Sequence, residues 1–229
     1  MKSGSARQIA KATAAIEKLL AYLGDLIEQR SHTPADDLMT SLIRAEHDGD
    51  RLTREETVTM VANLLVGGHD TTSSQIGCTL LTLLGHPSAL AEVRSDPSVL
   101  PALVSETIRF EPNIAAAPRT VAEPIEVCET VRPAGAVVMC SFLTANRDPE
   151  VWHDPDSFLS QRFAHPGAAR LLSFGGGPHF CLGAALARMT LEEVVRGVAE
   201  LAPKLGADPD EIEWVQVLGR NPSRLPVVA

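Results

Sequence analysis

No run of apolar residues in this chain of 229 reaches the roughly 20 that a membrane-spanning helix needs. The start, Met1-Lys2-Ser3-Gly4-Ser5, lacks the apolar core of a secretory signal, so a soluble cytoplasmic protein with no membrane partner is expected. Basic residues are also short: 20 lysines and arginines stand against 29 aspartates and glutamates, for a net charge of -9. Nucleic-acid binders present basic faces, so no nucleic-acid partner is expected. Four cysteines, Cys78, Cys128, Cys140 and Cys181, follow neither a metal-finger spacing nor a dense disulfide framework. Also missing are a nucleotide-binding glycine motif after a strand, a cysteine cluster for iron–sulfur, an internal repeat and a low-complexity segment. What is present is a folded composition, 45% hydrophobic and ample for one core.

Apolar residues recur at helical spacing from about Ala6 to Arg30, through Ile9, Ile16, Leu19, Leu20, Leu23, Leu26 and Ile27. Ser31-His32-Thr33-Pro34 breaks that helix, and Asp36 or Asp37 starts a short one through about Glu46. Thr53 with Glu56 forms a capping-box pattern, from which the longest helix runs to about Leu84. Two shorter helices follow, Ser88 to Ser95 and Pro101 to Phe110. Arg119-Thr120-Val121, Ile125-Glu126-Val127 and Ala136-Val137-Val138-Met139 then read as short strands. A loop-rich stretch precedes a last helix ending near Leu201, and the tail through Leu225-Pro226-Val227-Val228 reads as a strand or hairpin.

The chemistry concentrates in Phe174-Gly175-Gly176-Gly177-Pro178-His179-Phe180-Cys181-Leu182-Gly183. Its glycines let backbone approach a flat object, and the helix that follows aims free amides and its positive dipole end at the sulfur. A cysteine so placed is biased toward thiolate, a soft ligand for iron. A lone cysteine before a helix is more often a small buried hydrophobe, but five fixed positions weigh against that here. Phe174, Gly177, His179, Cys181 and Gly183 together resemble the haem-ligand signature of the cytochrome P450 haem-thiolate monooxygenases.

Three further motifs stand in that family's order. Gly67-Gly68-His69-Asp70-Thr71-Thr72 puts two glycines inside the longest helix, each costing about 1 kcal/mol relative to alanine. A helix opened there would receive a small ligand, whereas close helix packing explains the glycines equally well when they are taken alone. The run resembles the family's oxygen-activation motif, which implies that Thr71 hydrogen-bonds bound dioxygen and Asp70 delivers protons. Glu106 and Arg109 share a helical face, and alone they read as a solvated ion pair. With Arg162 they resemble the family's Glu-Arg-Arg lock on the loop that carries the cysteine. By resemblance, Arg119 and His179 donate to haem propionates. Asn146-Arg147-Asp148-Pro149 matches a recurring family turn, but an ordinary Asx turn accounts for it equally and it is not counted as a site. Leu159 departs from the acid common at its position in bacterial relatives.

The resemblance implies a mainly α fold with a small β component (α+β), with residues 1–229 as the C-terminal haem-binding portion and the N-terminal half missing. Family members run to about 400 residues as one unusually large domain. It implies haem b on Cys181, insertion of one oxygen atom into a small organic substrate, and a ferredoxin or flavoprotein as electron donor. Two rival readings are a truncated haem-binding remnant without turnover and a thiol enzyme using Cys181 with His179. Self-association through uncovered apolar surface, including Ile9, Ile16, Leu20 and Leu23, is also expected.

Overall fold

The Thr53–Glu56 capping box forms as the spacing predicts. Thr53 donates from its backbone N–H and its hydroxyl to Glu56 Oε2, both at 2.8 Å, while Glu56 N–H donates back to Thr53 Oγ1 at 3.2 Å. These bonds hold the Glu56 carboxyl below its ordinary pKa. From this start a helix runs unbroken for 31 residues, Arg54–Leu84. The computed structural model that shows this describes residues 6–47, 50–202, 204–208, 211–216 and 220–228. Gly67 and Gly68 do not open the helix. A helical penalty of about 1 kcal/mol each is small against the intact turns on either side.

Two compact units divide the chain, residues 1–69 and 70–229. The first holds α1 (Ala6–His32), α2 (Leu38–Arg44), the hairpin of β1 (Glu46–His47) with β2 (Asp50–Arg51), and the beginning of α3 (Arg54–Leu84). Its small core is Leu23, Ile27 and Val58, with Leu19, Met39, Ile43, Val61 and Ala62 packed around it. Leu23 is thus interior, while Ile9, Ile16 and Leu20 of the same helix are exposed. Helix α2 stops at Arg44, short of the expected Glu46, because Glu46–His47 pairs as a strand. The sequence offers His47-Asp48-Gly49 as the stop of this helix, and residues 48 and 49 of that run lie outside the described residues. Asp37 caps α2 by accepting from Thr40 N–H at 2.8 Å, and it also accepts from Arg30 Nε at 2.6 Å.

The second unit continues α3 into α4 (Pro87–Ser95), α5 (Leu100–Phe110), β3 (Ala116–Thr120), β4 (Ile125–Val127), β5 (Thr130–Arg132), β6 (Val137–Ser141), α6 (Phe142–Ala145) and α7 (Ala184–Leu201). It ends in β7 (Gly206–Ala207), β8 (Glu213–Gln216), β9 (Arg220–Arg224) and β10 (Val227–Val228). All pairings are antiparallel: β3 with β6, β4 with β5, β8 with β9, and β10 with β7. The strands predicted near 119, 125 and 136 and at the tail are present, whereas β8 and β9 carry no clear alternation. Leu100, Leu103, Val104 and Ile108 of α5 meet Leu191, Val195 and Ala199 of α7 in one core, which also takes Leu83, Leu90, Val93 and Leu171. The i, i+4, i+8 spacing on α7 explains why one stripe of it is interior.

Helix α3 also approaches β9 closely. A Cβ placed on Gly77 would lie 2.6 Å from Pro222 Cγ, so only glycine admits that contact. No single helix among the described residues is long and apolar enough to cross a membrane.

Candidate functional site

The cysteine loop takes its shape from two left-handed residues. Gly175 and Gly177 both have φ +73°, a conformation that side chains disfavour. Between them and the sulfur lies one 3-10 turn, Gly177–His179, closed by Phe180 N–H donating to Gly177 O at 3.0 Å. Cys181 N–H then donates to Phe174 O at 3.0 Å, so the loop closes on itself as a ring of eight residues, 174–181. Gly183 caps α7, its carbonyl accepting from Ala187 N–H at 2.9 Å, and Ala184 N–H reaches back to Cys181 O at 3.3 Å. Cys181 is an exposed free cysteine. His179 is exposed beside it, and so are the apolar side chains of Phe180, Leu182 and Leu186.

Two arginines lie over the aromatic rings of this loop. The guanidinium of Arg188 lies 4.5 Å from the Phe174 centroid, and that of Arg170 lies 5.7 Å from Phe180. The two rings are themselves 6.4 Å apart. Burial pushes the Arg188 pKa down, while the fields of Cys181 and Glu192 push it up.

Glu106, Arg109 and Arg162 come together as predicted, and the first two are fully buried. Arg109 grips Glu106 in a fork, Nε to Oε2 at 2.7 Å and Nη2 to Oε1 at 2.8 Å. Arg162 Nε adds 3.1 Å to Oε1, which also accepts from Leu159 N–H at 2.9 Å. Leu159 therefore serves the lock through its backbone, whatever its side chain. The remaining donors go to carbonyls: Arg109 to Asn146, Pro155 and Ser157, and Arg162 to His153, Asp154 and Ser157.

Asn146, set aside in the sequence as a plain turn residue, is fully buried and joins the lock to the cysteine loop. Its Nδ2 donates to Ser173 Oγ at 2.8 Å, its Oδ1 accepts from Leu172 N–H at 3.2 Å, and Ser173 Oγ donates on to Ile108 O at 3.1 Å. The available signal was the Asn146-Arg147-Asp148-Pro149 run itself.

Asp70 and Thr71 lie on α3. Asn113 Nδ2 donates to Thr71 O at 2.9 Å, and Asn113 N–H donates to Gln75 Oε1 at 2.9 Å, tying this stretch to the segment after α5. Neither Asn113 nor Gln75 stood out in the sequence. Arg119 is exposed on β3, opposite Val138 of β6, with Nη1 on Pro118 O at 2.8 Å.

The family model for Cytochrome P450 matches residues 4–196, a span that contains every one of these residues. The chain belongs to the cytochrome P450 family. Among P450 relatives, it is 42% identical over 213 residues to cytochrome P450 107B1 of Saccharopolyspora erythraea, covering 91% of this chain and 52% of that protein. Nocardicin C N-oxygenase of Nocardia uniformis subsp. tsuyamanensis is 40% identical over 225 residues, covering 96% and 54%. The ligand-free structure of cytochrome P450 TbtJ1 superposes with a TM-score of 0.88 at 34% identity, covering 98% of this chain and 59% of that one. The chain spans about half the length of the P450 relatives it matches. Its α+β architecture is that of the P450 fold.

The residues present fit the family's prosthetic group. Nothing lies within 4 Å of a Cβ built on Gly175, Gly177 or Gly183, so the loop presents open backbone around an exposed sulfur. The apolar side chains beside it suit a flat macrocycle, and a guanidinium and an imidazole suit anionic edges.

Proposed function

We propose that residues 1–229 are the C-terminal haem-binding portion of a P450 monooxygenase, with Cys181 as the residue that would hold the haem iron through its thiolate. The observation that carries this reading is the exposed Cys181, held by its own backbone bond to Phe174 in a glycine loop and braced through Asn146 by the buried Glu106–Arg109 pair. When bound, haem b supplies reductive activation of dioxygen and transfer of one oxygen atom to an organic substrate, the other leaving as water.

The chain's own residues divide the remaining work. Cys181 Sγ would hold the iron, and Phe174, Gly177 and Gly183 keep the loop in its ring. Arg119 and His179 would hold the propionates. On α3, the Thr71 hydroxyl and the Asp70 carboxylate hold and pass protons, a role for which an acid adjacent to a hydroxyl is suited. Glu106, Arg109 and Arg162 act on the loop's position. A small organic molecule is the substrate class, and a ferredoxin or flavoprotein supplies electrons from outside the chain.

Reducing the haem-supplied chain under carbon monoxide tests the ligand. A long-wavelength thiolate Soret band is expected in the wild type and in Cys140→Ser, and its loss is expected in Cys181→His with helix content retained. An unchanged band in Cys181→His removes Cys181 from the site. Product formation with a redox partner then separates turnover from haem binding alone.

A further inference from the structure

The cavity behind the cysteine loop has a chemistry of its own. It measures about 350 Å³, within the range of small-molecule sites, and is lined by Arg170, Arg188, Phe163, Leu171, Phe180 and Ala169, together with Ser105. Both guanidiniums lie over aromatic rings, Arg188 over Phe174 and Arg170 over Phe180. A guanidinium carries five N–H donors, more than a contact with one ring engages, so donors remain for an acceptor. Among the described residues neither arginine has a hydrogen-bond or ion-pair partner, in a chain with 29 acidic residues and a net charge of -9. Burial acts against the charge on Arg188, and neither Cys181 nor Glu192, whose fields favour it, forms an ion pair with it. A partly desolvated cation that these fields reach but no ion pair or hydrogen bond engages still has donors to offer an incoming anion. Apart from Ser105, whose hydroxyl donates to Pro101 O at 2.8 Å, the other walls are apolar, so a bare inorganic anion would leave Phe163, Leu171 and Phe180 without contact.

We propose that this cavity binds a small apolar carboxylate, an aryl or short-chain alkyl acid, with its carboxylate on Arg170 and Arg188 and its apolar body against Phe163, Leu171 and Phe180. Binding would draw on the same guanidiniums that lie over Phe174 and Phe180, two rings of the Cys181 loop. The proposal stands independently of the haem assignment, since every contact it uses lies in the protein.

Calorimetric titration of the haem-supplied chain with benzoate is the test, with benzyl alcohol as the neutral analogue and acetate as the anion without a ring. Saturable 1:1 benzoate binding is expected, weakened about tenfold or more when either the charge or the ring is removed. Arg188→Gln and Arg170→Gln should each weaken benzoate by about tenfold with the melting curve unchanged. Arg170 is exposed, so its variant keeps the test open if Arg188→Gln unfolds. Benzoate binding that survives Arg170→Gln unaltered, equal binding of benzyl alcohol, or binding of an acidic peptide but not of benzoate would each overturn the proposal. The carbon monoxide spectrum reports separately on Cys181.

Discussion

Asn146 faces two ways: its carbonyl accepts from Arg109 Nη1 at 2.9 Å, while its side chain holds the backbone of Leu172 and the hydroxyl of Ser173. One residue therefore transmits the position of a buried arginine to the strand of backbone that enters the cysteine loop. Asn146→Ala would leave the carbonyl contact in place and strand Leu172 N–H, while Ser173 Oγ loses one of its two bonds and keeps that to Ile108 O. A loss of about 1–3 kcal/mol is expected in urea unfolding, together with faster haem loss, because unsatisfied buried polar groups carry that penalty. Haem loss unchanged at equal destabilisation would show that the loop does not depend on this bridge.

Removing the carboxylate of Glu106 leaves Arg109, with no exposed surface, as an unpaired interior cation. Glu106→Ala is expected to destabilise the second unit by roughly 3–5 kcal/mol and to lower soluble yield. Glu106→Gln should be intermediate, since it retains one acceptor. Arg109→Lys should resemble Glu106→Ala rather than the wild type, because an ammonium cannot reproduce the fork and its three carbonyl contacts. Denaturation midpoints of the three variants check the order.

Helix α3 carries glycines with opposite expected responses. Gly77→Ala forces a methyl to 2.6 Å from the Pro222 ring and should cost about 1–3 kcal/mol as β9 is displaced. Gly67→Ala and Gly68→Ala meet nothing within 4 Å and should each stabilise the helix by about 1 kcal/mol. Any loss of turnover in the latter two would then report on the space above the helix rather than on folding. Thermal melts of the three single variants separate these cases.

Acid should loosen the first unit through Asp37. Its carboxyl is held at about 2, below the ordinary 3.8, chiefly by the Arg30 hydrogen bond and then by Thr40. A depressed folded-state pKa contributes stability above the unfolded value and loses it as the pH falls from about 3.8 toward about 2. In Asp37→Asn the α2 cap should persist while this pH-dependent component disappears. Helix content followed between pH 5 and pH 1.5, roughly, in wild type and variant checks the difference.

The sequence revealed most where residue type and spacing meet a local rule. The Thr53–Glu56 cap, the start of α2 at Asp37 and the Glu106–Arg109 face all depend on neighbours within one turn, and all form as read. The cysteine loop was legible for the same reason, its eight-residue ring being closed within the motif. Asn146 was not, because its partners Leu172 and Ser173 lie 26 and 27 residues away and no periodicity links them. Arg188 and Arg170 escaped notice likewise: an arginine in a helix or loop gains meaning only from the ring it lies over. The glycine pair left two readings open, an opened helix or close packing, and the helix runs through it without a break because the intact turns around it override the local penalty. The stop of α2 was misplaced because pairing of Glu46–His47 with Asp50–Arg51 competes with helix at that point.

Arg109 ends its donors on the carbonyls of residues 146, 155 and 157, besides Glu106. In coordination terms the polypeptide wraps a fixed organic cation much as an oxygen-lined loop wraps calcium. Because the ligands are main-chain oxygens, substitutions at positions 155–157 should matter little if the wrapping path is kept, whereas an insertion or deletion between Asn146 and Ser157 changes the chelate ring itself. Length, more than side-chain identity, is the property this segment has to preserve.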